Sequence, residues 1–250
     1  MGMILGTAAR MDFTPGAVTL EDGSAAGDDQ AVTRSQTALT QDLRLLHQFS
    51  LRQRFSRNET IFSQGDSAKH VYKVINGTIR ICKYTPDGRR QIADFMLPGD
   101  LFGFVERAEH GYSAEAATDV ILLSYPREQL DRLSARTPGV VTRVLALLTE
   151  HLLSMQRQLL VLGCKNAKER FASFLVRLAD RTNSLPGERI DLAMGRQDIA
   201  DHLGLTIETV CRAIAELKRE GSIVTPNIHQ IIVSKPTALR ALADGALSQI

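Results

Sequence analysis

The sequence predicts an α+β protein built from unlike halves. Three observations carry this. Short apolar stretches broken by Gly, Pro and Asn turns run from residue 51 to 126. An apolar stripe at spacings of three and four begins at Pro138. A helix-turn-helix pattern with a trailing hairpin occupies residues 196–233. With 250 residues and 44% apolar content, the chain has room for two modest domains, each with its own core.

Residues 1–36 are rich in Gly, Ala, Asp and Thr and show no sustained periodicity, so a flexible leader is expected there. A short helix is expected over 40–49, with Leu43, Leu46 and His47 on one side. The β unit is placed at 37–136. Its clearest strands are 71–74, 78–84, 91–97 and 120–125. Turn signals stand at Gly65-Asp66, Asn76-Gly77, Pro86-Asp87-Gly88 and Pro98-Gly99-Asp100. Regular short strands of this kind imply a small barrel or sandwich.

A long helix is placed at 137–165. Val144, Leu148, Leu152, Met155, Leu159 and Leu162 form its stripe. At 1.5 Å per residue such a helix is roughly 40 Å long, more than one small barrel can cover. Packing within the chain is one reading. A second copy covering the stripe, as in a coiled coil, is the favoured one.

The last unit is placed at 166–236, followed by a tail at 237–250 read as a frayed helix. Phe171, Phe174, Leu175 and Leu178 give the first helix of this unit an inner face, and Leu185-Pro186-Gly187 breaks it. In the next helix Ile199, Ala200 and Leu203 point inward, and Ala200 is small enough for a second helix to cross closely. Gly204 takes the sharp turn, since it reaches positive φ without steric cost. Thr206 is a good N-cap, and Val210, Ile214 and Leu217 dock the second helix. Gly221 ends that helix. Residues 223–224 and 231–233, joined through Pro226-Asn227, read as a hairpin wing.

On the outer face of the second helix, Glu208 and Arg212 lie four residues apart with Cys211 beside them. Arg can grip guanine O6 and N7, and Glu can accept from a cytosine amino group. The plainer reading is a solvated Glu–Arg pair on an amphipathic helix. Ile207 is placed to touch a thymine methyl. Thr206, Thr209, Arg196 and Gln197 suit phosphates, which position without specifying. Paired half-sites would match a dimer.

Composition narrows the classes. Net charge is only +2, so bulk charge does not announce a nucleic-acid binder. There is no Trp and aromatic content is 5%, which argues against a platform for stacking single strands. No apolar run reaches membrane-spanning length, and no secretory signal is expected. Cys82, Cys164 and Cys211 are odd in number and widely spaced, which suggests a reducing cytoplasm. No ligand-like spacing of Cys or His is present, so no metal is expected and a metal-using barrel enzyme is disfavoured.

Four segments carry a resemblance. They are Phe62-Ser63-Gln64-Gly65-Asp66, Val74-Ile75-Asn76-Gly77-Thr78-Ile79, Leu97-Pro98-Gly99-Asp100-Leu101-Phe102-Gly103 and Glu208-Thr209-Val210-Cys211-Arg212. With a barrel, a long helix and a winged helix-turn-helix in that order, the chain resembles the CRP/FNR family of bacterial transcription regulators from about residue 39 to 236. The last segment looks like the family's Glu-Thr-x-x-Arg signature. The resemblance implies an N-terminal jelly-roll barrel of the cyclic-nucleotide-binding type and a long dimerisation helix. It also implies a homodimer that binds double-stranded DNA and RNA polymerase.

Departures from the family pattern are informative. Cyclic-nucleotide binders carry a Glu soon after the barrel motif, then Arg-Ser or Arg-Thr to grip the phosphate. Here Gly103 leads into Phe104-Val105-Glu106-Arg107, and the later pair is Tyr112-Ser113. The missing Arg removes the bidentate charge partner. No cysteine precedes Cys82, which excludes the N-terminal iron–sulfur site of the FNR branch. The resemblance therefore points to the FixK-type branch, with no cofactor and a role in low-oxygen or nitrogen-fixation circuits. It also implies a TTG-N-CAA palindrome. A sensor of the same family with a small molecule in the barrel is the alternative, with Glu106, Arg107 and Tyr112 as its polar groups. Cys211 has two readings, a redox brake on DNA binding or a position that merely needs a small residue.

Overall fold

The computed structural model describes residues 41, 44–105, 108–182, 184, 187 and 189–245. The expected leader, Leu43, Glu106, Arg107, Leu185, Pro186 and the last five residues of the tail lie outside the described residues.

The expected N-terminal helix is a 3-10 helix, Arg44–Phe49, which buries Leu46 and leaves His47 exposed. Eight strands follow: β1 Leu51–Phe55, β2 Thr60–Phe62, β3 His70–Asn76, β4 Ile79–Tyr84, β5 Arg90–Met96, β6 Leu101–Phe102, β7 Ser113–Ala116 and β8 Val120–Pro126. They form two antiparallel four-stranded sheets, ordered β1-β8-β3-β6 and β2-β7-β4-β5. Asn76-Gly77 is a corner where the chain passes from one sheet to the other, not a hairpin turn. Gly77 takes φ 86°, and a Cβ there would lie 2.2 Å from the Asp119 carbonyl oxygen.

The sheets close over Phe62, Tyr72, Val74, Ile79, Met96, Phe102, Ala114, Ala116, Val120 and Leu122. Phe62, Tyr72 and Phe102 meet with ring centroids 5.2–6.1 Å apart. The His110 ring stacks on Phe62 at 3.6 Å. The inside of this roll is therefore packed with the chain's own aromatic side chains.

Helix α1, Arg127–Arg136, leads into α2, Pro138–Cys164, a helix of 27 residues. Pro at the start of α2 costs no hydrogen bond, because the first N–H groups of a helix have no partner in it. Val140 and Leu147 are the buried residues of α2, clustered with Val71, Leu101 and Tyr125 of the roll and Leu130 of α1. Of the expected stripe, Val144 packs against this cluster and Leu162 is half-buried, while the stripe positions between them are exposed, Leu152 at 55%, Met155 at 53% and Leu159 at 69%.

The C-terminal unit comprises α3 Ala167–Arg181, β9 Arg189–Asp191, α4 Arg196–Leu203, α5 Ile207–Arg219, β10 Ile223–Asn227, β11 Gln230–Val233 and α6 Pro236–Asp244. Asn166 caps α3, accepting from the Glu169 N–H while the Glu169 carboxylate accepts from the Asn166 N–H. The wing has three strands, ordered β10-β11-β9. Pro226-Asn227 is not the wing's turn, as the sequence suggested; it ends β10, past a register shift between Val224 and Asn227. A proline is tolerated at such an irregularity because no ladder hydrogen bond is lost there. Over its described residues the tail is a packed helix instead of a frayed one. Leu239 and Ala243 of α6 are buried, and Arg240 pairs with Asp180 on α3.

The roll and the C-terminal unit share one core. Cys82, Ile92, Phe95 and Leu97 on the outer face of the second sheet pack with Phe171, Phe174, Leu175 and Ile199. His202 is inserted at this seam, 1% exposed, with Phe95 and Phe174 beside it. Its Nδ1 is 3.1 Å from the Ile92 carbonyl oxygen and its Nε2 2.7 Å from Arg177 Nη2. A carbonyl accepts and a guanidinium donates, so the ring is neutral with the proton on Nδ1. Asp94, 3.6 Å from Arg177 and 3.7 Å from Arg181, completes the surroundings.

Burial, reinforced by Arg177, pushes the His202 pKa down to about 4 from 6.5. Between those values the unfolded chain binds a proton that the folded chain refuses. Stability present above pH 6.5 is therefore lost as pH falls towards 4, by up to about 3 kcal/mol. His202→Gln keeps an acceptor and a donor without the titration. It should flatten the fall in melting temperature between pH 6.5 and 4, leaving a residual slope from His110 and His151, which burial also holds low. Thermal melts across this range check it, and an unchanged slope would refute the assignment.

Candidate nucleic-acid interface

Helices α4 and α5 form a helix-turn-helix whose local chemistry explains its shape. Ile199 and Ala200 are fully buried and Leu203 nearly so. Gly204 ends α4 in the left-handed region, at φ 62° and ψ 41°. The Leu205 N–H then reaches back to the Ala200 carbonyl at 3.0 Å, which satisfies a helix-end acceptor. The Thr206 hydroxyl accepts from the Thr209 N–H at 3.3 Å and caps α5. Val210, Ala213, Ile214 and Leu217 hold α5 inward.

This anchoring leaves Glu208, Cys211 and Arg212 exposed together on the outer face of α5. Among the described residues, Glu208 and Arg212 form no ion pair with each other. Hydrogen bonds from its own N–H and from the Thr206 hydroxyl hold the Glu208 carboxyl below its usual range, so it is an acceptor at neutral pH. Ile207 and Thr209 are half-buried, Thr206 is exposed, and the Thr206 and Thr209 hydroxyls lie 3.0 Å apart.

The residues expected on phosphates are not equally free. Gln197 is exposed, and its Nε2 donates to Asp201 Oδ1 at 2.6 Å. Arg196 is half-buried between α4 and the wing, with Nη2 3.4 Å from the Ile228 carbonyl oxygen. Its Nη1 is buried with no partner among the described residues. Arg196 thus holds the wing turn against α4, and meeting a phosphate would require it to move.

The cysteines differ in access. Cys211 and Cys164 are exposed, whereas Cys82 is buried and its thiol is pushed up to about 12, chiefly by burial and then by Glu115. Within the roll, Ser113 is buried in β7 and its Oγ accepts from the Gln64 N–H at 3.0 Å. Tyr112, at the place of the absent arginine, is exposed, with the Lys83 ammonium 5.5 Å from its ring centroid. Among the described residues, no cluster of three or more His, Cys, Asp or Glu could hold a metal ion, and no helix is long and apolar enough to cross a membrane.

Two family models match the halves. The cyclic nucleotide-binding domain covers residues 52–137 and the Crp-like helix-turn-helix domain covers residues 169–242. The nitrogen fixation regulation protein FixK of Azorhizobium caulinodans is 42% identical over 191 residues, which are 75% of this chain and 77% of that protein. FixK of Rhizobium meliloti is 40% identical, over 74% of this chain and 83% of its own. The solved structure of FixK2 from Bradyrhizobium japonicum superimposes with a TM-score of 0.74 at 34% identity. It covers 77% of this chain and 96% of that one.

The chain belongs to the CRP/FNR family, in its FixK-type branch. It is a DNA-binding transcription regulator, as its relatives are, and not an enzyme. Within the helix-turn-helix, α5 is the second helix, the one that such motifs lay in the major groove, and β9–β11 form the wing beside it.

Sequence reasoning missed the residues that seat this unit: Arg80, Arg90, Asp198, Asp201 and His202. Asp198 carried a local signal, since an acid three residues after Gly195 can accept from its N–H, here at 3.3 Å. Nothing local marks its arginine partners.

Proposed function

We propose that the protein acts as a homodimeric activator that reads a TTG-N-CAA palindrome, serves low-oxygen or nitrogen-fixation circuits and is restrained by oxidation of Cys211. One observation carries this reading: a recognition helix whose polar outer face is free, in a chain whose long helix leaves an apolar stripe uncovered. Joining two copies along Leu148, Leu152, Met155 and Leu159 would bury that stripe. The two recognition helices would then face half-sites about one DNA turn apart, roughly 10 bp. The packed roll interior favours this over a barrel that holds a small-molecule effector. The names of the relatives support the physiology, and as an activator the dimer would contact RNA polymerase in the cytoplasm.

Arg212 takes the guanine, Glu208 accepts from cytosine or adenine amino groups, and Ile207 meets a thymine methyl. Cys211 lies in the same groove. Thr206, Thr209 and Gln197 contact phosphates, and Arg196 joins them if its wing contact opens. Oxidising Cys211 to a sulfinate or sulfonate would place a negative charge against the phosphates.

Leu152→Glu should cost the dimer several kcal/mol by placing an unpaired charge in a dry seam. Sedimentation should show a folded monomer with collapsed DNA affinity; a wild type that sediments as a monomer with full affinity would end the dimer reading. Arg212→Ala should cost about 1–3 kcal/mol per half-site and relax the preference at guanine. Equal loss on specific and random DNA would make Arg212 a phosphate contact instead. In binding assays before and after peroxide, wild type should lose affinity and Cys211→Ser should keep it. Equal loss in both would move the oxidation elsewhere.

A further inference from the structure

The second sheet of the roll and the first helix of the helix-turn-helix meet through opposite charges, buried at Arg80 and Asp198 and half-buried at Arg90 and Asp201. Arg80 on β4 and Arg90 at the start of β5 both reach α4. Arg90 Nη2 lies 2.6 Å from Asp198 Oδ1, and Arg90 Nε donates to Asp201 Oδ2 at 2.8 Å. Arg80 Nη1 is 3.4 Å from Asp198 Oδ1, while its Nε donates to Glu115 Oε2 at 2.8 Å. The Tyr84 hydroxyl donates to the other Glu115 oxygen at 2.6 Å. Arg80, Glu115 and Asp198 are each 7% exposed, so water screens these charges little.

Three features give the seam a direction. Docking through Asp198 and Asp201 leaves Glu208, Cys211 and Arg212 exposed, so a docked unit can still meet DNA. Asp198, next to Gln197, and Asp201, one turn on, would repel a polyanion if left bare, and the two arginines neutralise them. Asp201 is also a relay: one oxygen takes Arg90, and the other takes the Gln197 amide at 2.6 Å.

We propose that Arg80, Arg90, Asp198 and Asp201 form an interdomain latch that holds the helix-turn-helix on its own roll in the DNA-competent orientation. Arg90 and Asp201 are positioning residues for Gln197. The inference rests on the reading of this protein as a dimer on a palindrome, because two half-sites at fixed separation require two recognition helices at fixed orientation. Removing one partner leaves the other charge poorly solvated and unpaired in the seam, a cost that opening the seam relieves.

The chain carries its own reporter. Cys82 is fully buried beneath the latch. In full-length protein with Cys164→Ser and Cys211→Ser, it is the single thiol, and its rate of labelling by N-ethylmaleimide reports opening. DNA affinity is measured separately in protein with its native cysteines, on a palindromic TTG-N-CAA duplex. Arg90→Glu and Asp201→Arg should each speed Cys82 labelling and weaken DNA binding, both by about tenfold or more. Combining the two changes restores an opposite-charge pair and should recover most of both effects. Circular dichroism checks that each variant is folded. If a reversal unfolds the chain, Arg90→Gln and Asp201→Asn should show the same two effects at smaller size.

The latch is overturned if folded single variants label Cys82 no faster than wild type, or if labelling quickens while DNA affinity stays unchanged. A double variant no better than either single also overturns it. A wild type that fails to bind the palindrome defeats the functional reading instead, and the labelling arm still reports whether the seam opens.

Discussion

The arrangement of this molecule depends on one short helix, α4, being packed from two sides. Ile199, Ala200 and Leu203 support the recognition helix. Asp198, Asp201 and His202 face the roll. Helical periodicity makes this possible, because positions three and four apart share a side while their neighbours turn away. The orientation of α5 is therefore inherited from the sheet through a single rigid element.

The seam combines two kinds of attraction. Apolar contact among Cys82, Ile92, Phe95, Phe171 and Phe174 is non-directional and supplies adhesion. The charges and the His202 ring are directional. Each demands a particular partner, and a displaced register would leave a buried donor or acceptor unmet. Neutral His202 belongs to the same logic, because a proton on Nε2 would face the Arg177 guanidinium.

The roll and the long helix show the opposite balance. The roll has closed around its own rings, with Phe62 sandwiched near His110, Tyr72 and Phe102. Gly103 is held so tightly under Tyr72 that a Cβ would lie 2.9 Å from that ring. The long helix leaves its surface unfinished, with Leu152, Met155 and Leu159 all more than half exposed. It is the opposite of the roll, where apolar side chains have met one another.

Much of this was legible in the chain. The inward positions of α3, α4 and α5, the turn at Gly204, the cap at Thr206 and the exposed Glu208, Cys211 and Arg212 all follow from local periodicity and turn chemistry, which act over a few residues. The order of the parts was read from the chain as well, and with four short segments it carried the resemblance. Three features needed the tertiary structure: the wing's third strand at Arg189–Asp191, the inward seating of Arg196 and the buried seam. Arg80 reads locally as one more strand arginine, and its partner Asp198 is 118 residues away. Periodicity shows which face of an element is apolar, but not which distant face it meets. That pairing is settled when the chain folds and each buried charge must find an opposite one.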